Sequence, residues 1–174
     1  MSTAVRRTLR PDGPAARHEL AGLLGSVWAC ELVRPSGLFV LAAPQLADGP
    51  ALDNRGGSFT GIEPGWGERV VRVSDVLLRT AARGGRVWVL TRRTPDRPNV
   101  LLARLRERAA EMGMTAGLRT AEPDSLPAAG VFADGFTVRG PILLGEDGPD
   151  FLGEAVVFDP DTDATRAAFE GCLR

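Results

Sequence analysis

Two short, nearly uninterrupted apolar runs constrain this chain more than any other feature. They are Leu38-Phe39-Val40-Leu41-Ala42 and Arg86-Val87-Trp88-Val89-Leu90-Thr91. A strand with one wet face alternates polar and apolar residues, whereas a continuous run of this length implies a strand covered on both faces, as in parallel sheets. Helical patterns flank the runs. Leu20, Leu23, Leu24, Val27, Trp28 and Leu32 recur at helical spacing and predict a helix from Pro14 to Val33. Arg34-Pro35-Ser36-Gly37 stops it. Ser74 is the expected N-cap of a helix from Asp75 to about Ala82, ended by Gly84-Gly85. Leu101, Leu102, Leu105, Ala109 and Met112 form the apolar stripe of a third helix, Asn99 to Met112. Residues 118–120, 130–133, 136–144 and 154–158 are strand-like, and Asp163 caps a last helix from Ala164 to Leu173.

This alternation implies an α/β fold with a mixed central sheet flanked by helices, its parallel strands edged by antiparallel ones. A chain of 174 residues fits one domain, here expected over 14–174 after a flexible N-terminal arm, 1–13. Residues 43–68 form a long connection rich in Gly, Pro and Asp, of a kind that is usually functional or interfacial. No run approaches the roughly 18 apolar residues of a membrane span. Arg6, Arg7 and Arg10 are not followed by the apolar core of a secretory signal. Cys30 and Cys172 are too few for a disulfide scaffold, and the expected setting is a reducing cytoplasm.

All 21 basic residues are arginine, and His18 is the single histidine. The missing lysine excludes a phosphate-loop lysine and a Schiff base. His18 sits beside Glu19 in the first turns of an amphipathic helix, a structural setting, and no Gly-x-Ser-x-Gly elbow accompanies it. Charge is unevenly spread: residues 1–120 hold 18 arginines against 11 acids, and residues 121–174 hold 3 against 11. Either the two regions neutralise each other in the fold or they split the surface electrostatically.

Three further patterns carry candidate chemistry. Glu146, Asp147, Asp150, Asp159, Asp161 and Asp163 are dense, and Asp159-Pro160-Asp161-Thr162-Asp163 resembles the start of a calcium loop. It lacks the required glycine and glutamate, and a turn leading into an N-cap explains the same residues. Asp53-Asn54-Arg55-Gly56-Gly57-Ser58 has the glycines and arginine of a phosphate cradle, but it neither follows a strand directly nor opens a helix. Arg92, Arg93 and Arg97 follow the second apolar run, where ligands of open α/β sheets bind. They could clamp a phosphate backbone, or form a solvated loop with Asp96 as counter-charge.

Cys30-Glu31-Leu32-Val33-Arg34-Pro35-Ser36-Gly37, the Leu-Phe-Val-Leu run, Asp53-Asn54-Arg55-Gly56-Gly57-Ser58-Phe59 and Arg86-Val87-Trp88-Val89-Leu90-Thr91-Arg92 together resemble a phospholipase-D-like family. That family belongs to bacterial DNA-modification and phage-defence gene clusters, and the resemblance runs from about residue 20 to the end. It implies a His-x-Lys motif, an aspartate and a Gly-Ser-x-Asn segment, with histidine as the nucleophile at phosphorus. Two motifs meet in that family, so one-motif chains dimerise.

In the matching segment, Pro127 stands at the histidine position and Ala129 at the lysine position. Asp134 keeps the aspartate, and Gly140-Pro141-Ile142-Leu143 keeps only the glycine of the last element. Loss of a covalent nucleophile removes the two-step route. The resemblance therefore implies a catalytically inactive subunit, without cofactor or metal, acting as a structural or recognition component of an anti-phage or DNA-modification assembly. Its partners would be other subunits of that system, of ATPase or helicase type, and a second copy of itself. Phe59 and Trp66 in the long connection are the expected interface anchors. One alternative is a module binding nucleic acid through Arg55, Arg92, Arg93 and Arg97. Another is a metal-dependent nuclease using Asp159 and Asp161.

Overall fold

The computed structural model describes residues 7–94, 99–134, 136–152 and 156–159. In chain order its elements are β1 (Arg7–Leu9), α1 (Pro14–Val33), β2 (Leu38–Ala43), β3 (Gln45–Leu46), β4 (Pro50–Asp53), β5 (Val70–Arg72), α2 (Val73–Ala82), β6 (Arg86–Thr91), α3 (Val100–Glu111), β7 (Leu118–Ala121), β8 (Gly130–Phe132), β9 (Thr137–Arg139), β10 (Ile142–Gly145), β11 (Gly148–Phe151) and β12 (Val156–Asp159). Seven strands form the main sheet in the order β1-β12-β9-β8-β2-β6-β7. β2, β6 and β7 run parallel, and β8, β9, β12 and β1 continue the sheet antiparallel. The mixed α/β architecture agrees with the sequence expectation.

Both apolar runs lie at the centre of this sheet. Every residue of β2 is buried. Its odd-numbered side chains, Phe39, Leu41 and Ala43, join Val87, Val89 and Val131 in the principal core. That core also holds the inward stripes of α1, α2 and α3, including Leu24, Leu77 and Leu102. The even-numbered side chains, Leu38, Val40 and Ala42, pack with Trp88, Leu90 and Phe132 on the opposite face. There Leu126 and Ala128 of the β7–β8 connection lie against them. The three helices of the described residues thus cover one face. The expected helix 164–173 lies outside the described residues. No helix among the described residues is long and apolar enough to cross a membrane.

Three local expectations change. Residues 7–9, read as part of the arm, form edge strand β1 against β12, with Leu9 buried. The pairing partner is some 150 positions away, so no local pattern announces it. Ser74 does not cap α2. Asp75 instead accepts the Arg72 backbone N–H at 3.1 Å, and the Ser74 hydroxyl donates to Asp48 at 2.9 Å. The predicted strand 136–144 is two strands in different sheets, because the chain turns at Gly140-Pro141. Gly140 has φ +145°, and Pro141 has no N–H to donate to a ladder. β10 then pairs with β3 and β11 in a three-stranded sheet, while β4 and β5 form a separate pair.

Gly130 is the tightest point of the central sheet. Its φ is +141°, and a Cβ there would overlap the carbonyl oxygen of Val138 on β9. Gly130→Ala is expected to destabilise the fold by about 2–4 kcal/mol in urea denaturation, through strain and forced separation of β8 from β9. Gly22→Ala is the control, since nothing stands within 4 Å of its added methyl. That change in α1 should stabilise by about 0.4–1 kcal/mol.

Candidate binding site at the carboxyl ends of the parallel strands

β2 and β6 end side by side at Ala43 and Thr91, and the β8–β9 hairpin brings further residues to the same edge. β8 runs antiparallel to β2, so the residues before β8 and after β9 meet there. The Gly140 N–H donates to the Ala129 carbonyl at 3.0 Å. The fold therefore brings together the positions matched to the lysine and the glycine of the phospholipase-D-like motif. The contact is backbone to backbone. Pro127 is exposed, and Ala129 and Gly140 are half-buried. None of the three carries a group that can attack phosphorus or hold its oxygens.

Asp134 does not join them. It lies beyond β8 at the other end of the hairpin, about 15 Å away along an extended strand. There its Oδ2 accepts the Gly37 N–H at 2.5 Å, ahead of β2. The position matched to the catalytic aspartate thus holds the amino end of the sheet.

A polar cleft of about 550 Å³ opens beside the strand ends. Asp48, Arg72, Thr94, Asn99, Arg104 and Glu146 line it. Asp48 is its hub: its carboxylate accepts the Ser74 N–H and hydroxyl, each at 2.9 Å, and Arg104 at 2.6 Å. Its backbone carbonyl accepts Arg72 at 2.6 Å. Asn99 caps α3, accepting the Leu102 N–H at 3.0 Å while its amide donates to the Leu46 carbonyl at 2.8 Å. Two arginines and the positive end of α3 face two carboxylates, so the cleft is nearly balanced in charge. It offers hydrogen bonds to a polar ligand and no nucleophile–base pair. Asn99 marks a helix start in the sequence; Asp48 has no local signature, because its partners come from α2 and α3.

The expected arginine patch is divided. Arg92 and Arg93 are exposed just beyond β6. Arg93 pairs loosely with Asp124 at 3.6 Å, and Arg92 makes no ion pair among the described residues. Arg97 lies outside the described residues. Arg55 is elsewhere, in the β4–β5 connection, where its guanidinium folds back on Asp53 at 2.6 and 2.9 Å. The Arg55 hydrogen bonds hold the exposed Asp53 carboxyl down at about 2.

The 53–58 segment is a loop built on Asn54 and not a phosphate cradle. The Asn54 side chain is fully buried, donating to Gly67 O at 2.6 Å and accepting from Phe59 N at 2.7 Å. Trp66 is 8% exposed in the principal core, and Phe59 packs half-buried against it. Neither is a protruding interface anchor. The long connection buries its aromatics because it supplies part of the core.

Among the described residues no three His, Cys, Asp or Glu side chains converge to hold a metal. Asp161 and Asp163 lie outside the described residues, and Asp159 is described only as the end of β12.

No family model matches the chain, and no curated protein matches it. Its fold is similar to part of polyphosphate kinase from Porphyromonas gingivalis, with a TM-score of 0.57, 12% identity, and coverage of 97% of this chain and 26% of that one. A second similar structure is TrmBL2, an archaeal chromatin protein described as showing a novel mode of DNA binding. There the TM-score is 0.47 and the identity 12%, over 98% of this chain and 49% of that one. The chain thus spans about half of one and a quarter of the other.

Two outcomes follow from these ion pairs. Asp48→Ala strands an N–H, a hydroxyl and a guanidinium, and should destabilise by about 1–3 kcal/mol in urea denaturation. Arg104→Ala, removing a half-exposed partner, should cost less than about 1 kcal/mol. Asp75 gives a pH dependence. Burial pushes its carboxyl up, but Arg69 at 2.8 Å, the Arg72 N–H and Arg108 more than offset this and leave it below the ordinary 3.8. A depressed carboxyl stabilises the fold above its unfolded value, and that stability is lost as pH falls through its folded value. Asp75→Asn should therefore lower the melting temperature at pH 7, and the difference from wild type should shrink below pH 4.

Proposed function

We propose that this chain is a catalytically inactive phospholipase-D-like subunit, a structural or recognition component of a bacterial anti-phage or DNA-modification assembly. One observation carries the loss of chemistry. Ala129 and Gly140 meet at 3.0 Å at the carboxyl ends of the parallel strands, where the motif's phosphate groups would act, and they meet through main-chain atoms alone. The family and its assembly rest on the sequence resemblance. The partners are then neighbouring subunits of ATPase or helicase type, with a second copy of this chain across the same edge.

A second reading is supported by the exposure of Arg92 and Arg93 at that edge. Arginines beyond parallel strands can hold a nucleic-acid backbone through phosphates. Arg55 does not contribute to such a surface, being committed to Asp53.

The test is purification of the tagged chain from its native operon setting, with mass by light scattering, composition by mass spectrometry, and turnover of a chromogenic phosphodiester. The expected result is a stoichiometric complex with neighbouring subunits and no turnover above buffer. Turnover abolished by a point variant at the strand ends would overturn the inactive reading, and a lone chain would overturn the subunit reading. If DNA binds instead, the logarithm of its affinity should fall linearly with that of salt, and Arg92→Ala and Arg93→Ala should each reduce the slope by about 1.

A further inference from the structure

A second cavity, of about 570 Å³, lies at the opposite end of the sheet. Its walls come from the last turns of α1, the Arg34-Pro35-Ser36 turn, and Asp134 and Phe136 of the β8–β9 connection. Ala29, Val33, Pro35 and Phe136 make it largely apolar. Val33 on α1 is 65% exposed and leaves an apolar edge at this wall.

The polar part centres on Glu31, Ser36 and Asp134. Glu31 lines the cavity yet is only 2% exposed. Its oxygens accept the Ser36 N–H at 2.9 Å and the Ser36 hydroxyl at 2.5 Å, and it has no ion pair among the described residues. The Asp134 N–H donates to that same hydroxyl oxygen at 3.2 Å, while its carboxylate takes the Gly37 N–H. Ser36 therefore links the Glu31 carboxylate to the Asp134 main chain, which sets the two acidic residues at one wall. Arg34 and Cys30 also line the cavity, and both are exposed.

A buried carboxylate is ordinarily paired with a cation or a metal. Among the described residues no three His, Cys, Asp or Glu side chains converge here to hold a metal ion. A cavity of this volume and apolar lining suits a small organic group.

We propose that this cavity binds an organic cation, an alkylammonium or guanidinium on an apolar stem, its charge on Glu31 and Asp134 and its stem against Val33, Pro35 and Phe136. The charged end supplies donors to the Glu31 oxygens, whose hydrogen bonds among the described residues come from Ser36 alone. The stem covers the apolar wall that ends at Val33. The acid–base behaviour of Glu31 agrees: burial raises its carboxyl, the Ser36 hydrogen bonds oppose that, and Asp134 raises it further. A cation at this wall would relieve both raising effects, so binding should tighten as pH rises through the titration of Glu31. The cation could arrive as a free amine or as a basic side chain of a partner.

The experiment is calorimetric titration of the full chain with benzamidine and hexylamine, their neutral counterparts benzamide and hexanol, and a capped Leu-Arg-Leu peptide. The expected Kd of the favoured cation is on the order of 0.1 mM, from the efficiency of fragment-sized ligands. Its neutral counterpart should bind at least tenfold more weakly. Glu31→Gln and Asp134→Asn should each weaken the cation at least tenfold. Val33→Arg, a change at an exposed site that leaves the core intact, should do the same by charge at the mouth, so the test stands even if Glu31→Gln fails to fold. Binding of the free amines alone assigns a small-molecule ligand, and binding of the peptide alone assigns a partner's side chain. No binding of any cation, equal binding of the neutral counterparts, or binding unchanged in Asp134→Asn and Val33→Arg would overturn the proposal.

Discussion

The structure depends on covering both faces of β2. All six of its residues are buried, and it pairs in parallel with β6 and antiparallel with β8. A strand with no wet face forces a layer on either side. α1, α2 and α3 supply one layer, and the β7–β8 connection contributes to the other through Leu126 and Ala128. The same strand fixes the two ends at which the molecule can meet ligands. At its carboxyl end the chain must leave through β3 and the long connection, which makes the polar cleft. At its amino end it must enter from α1 through a tight turn, which makes the acidic cavity.

Several of the arginines are held by acids distant in sequence. On α3, Arg104, Arg106 and Arg108 lie outside the buried stripe of Leu101, Leu102, Leu105 and Ala109. In the fold Arg104 reaches Asp48, Arg106 reaches Thr120 and Glu122, and Arg108 reaches Asp75. Arg69 and Arg79 are likewise committed, to Asp75 and Glu63. Exposed pairs of this kind add little stability singly. Asp48 and Asp75 differ because each is about nine-tenths buried and collects several donors. Most of these pairs lie inside residues 1–120 and leave the net charge of that region unchanged; Arg17–Asp150, Arg93–Asp124 and Arg106–Glu122 join it to the acid-rich residues beyond.

What the sequence made legible follows from locality. The helix from Pro14 to Val33 has the predicted boundaries, and both apolar runs are central strands, because period and punctuation lie within each segment. β1 and β3 are illegible for the opposite reason. They are three and two residues long and exist through partners distant in sequence. Trp66 misleads in the same way. An aromatic in a Gly- and Pro-rich loop reads as exposed until the loop itself proves to wall the core. At the candidate site, Ala129, Asp134 and Gly140 read only as positions of one motif; the contact of Ala129 with Gly140 and the separation of Asp134 from both appear once β8 and β9 are seen as a hairpin.

That hairpin is held by its main chain at the candidate site. The juxtaposition of Ala129 with Gly140 is made by an N–H and a carbonyl, and the ladder behind it by Val131 against Val138. Neither depends on the side chain at 127 or 129. Asp134, by contrast, holds the Gly37 N–H and meets Ser36, so its carboxylate is tied to the entry into β2. The Asp134 carboxylate therefore has a structural task of its own, whether or not anything reacts at the other end of the hairpin. It belongs to the amino end of the sheet, with Glu31 and Ser36.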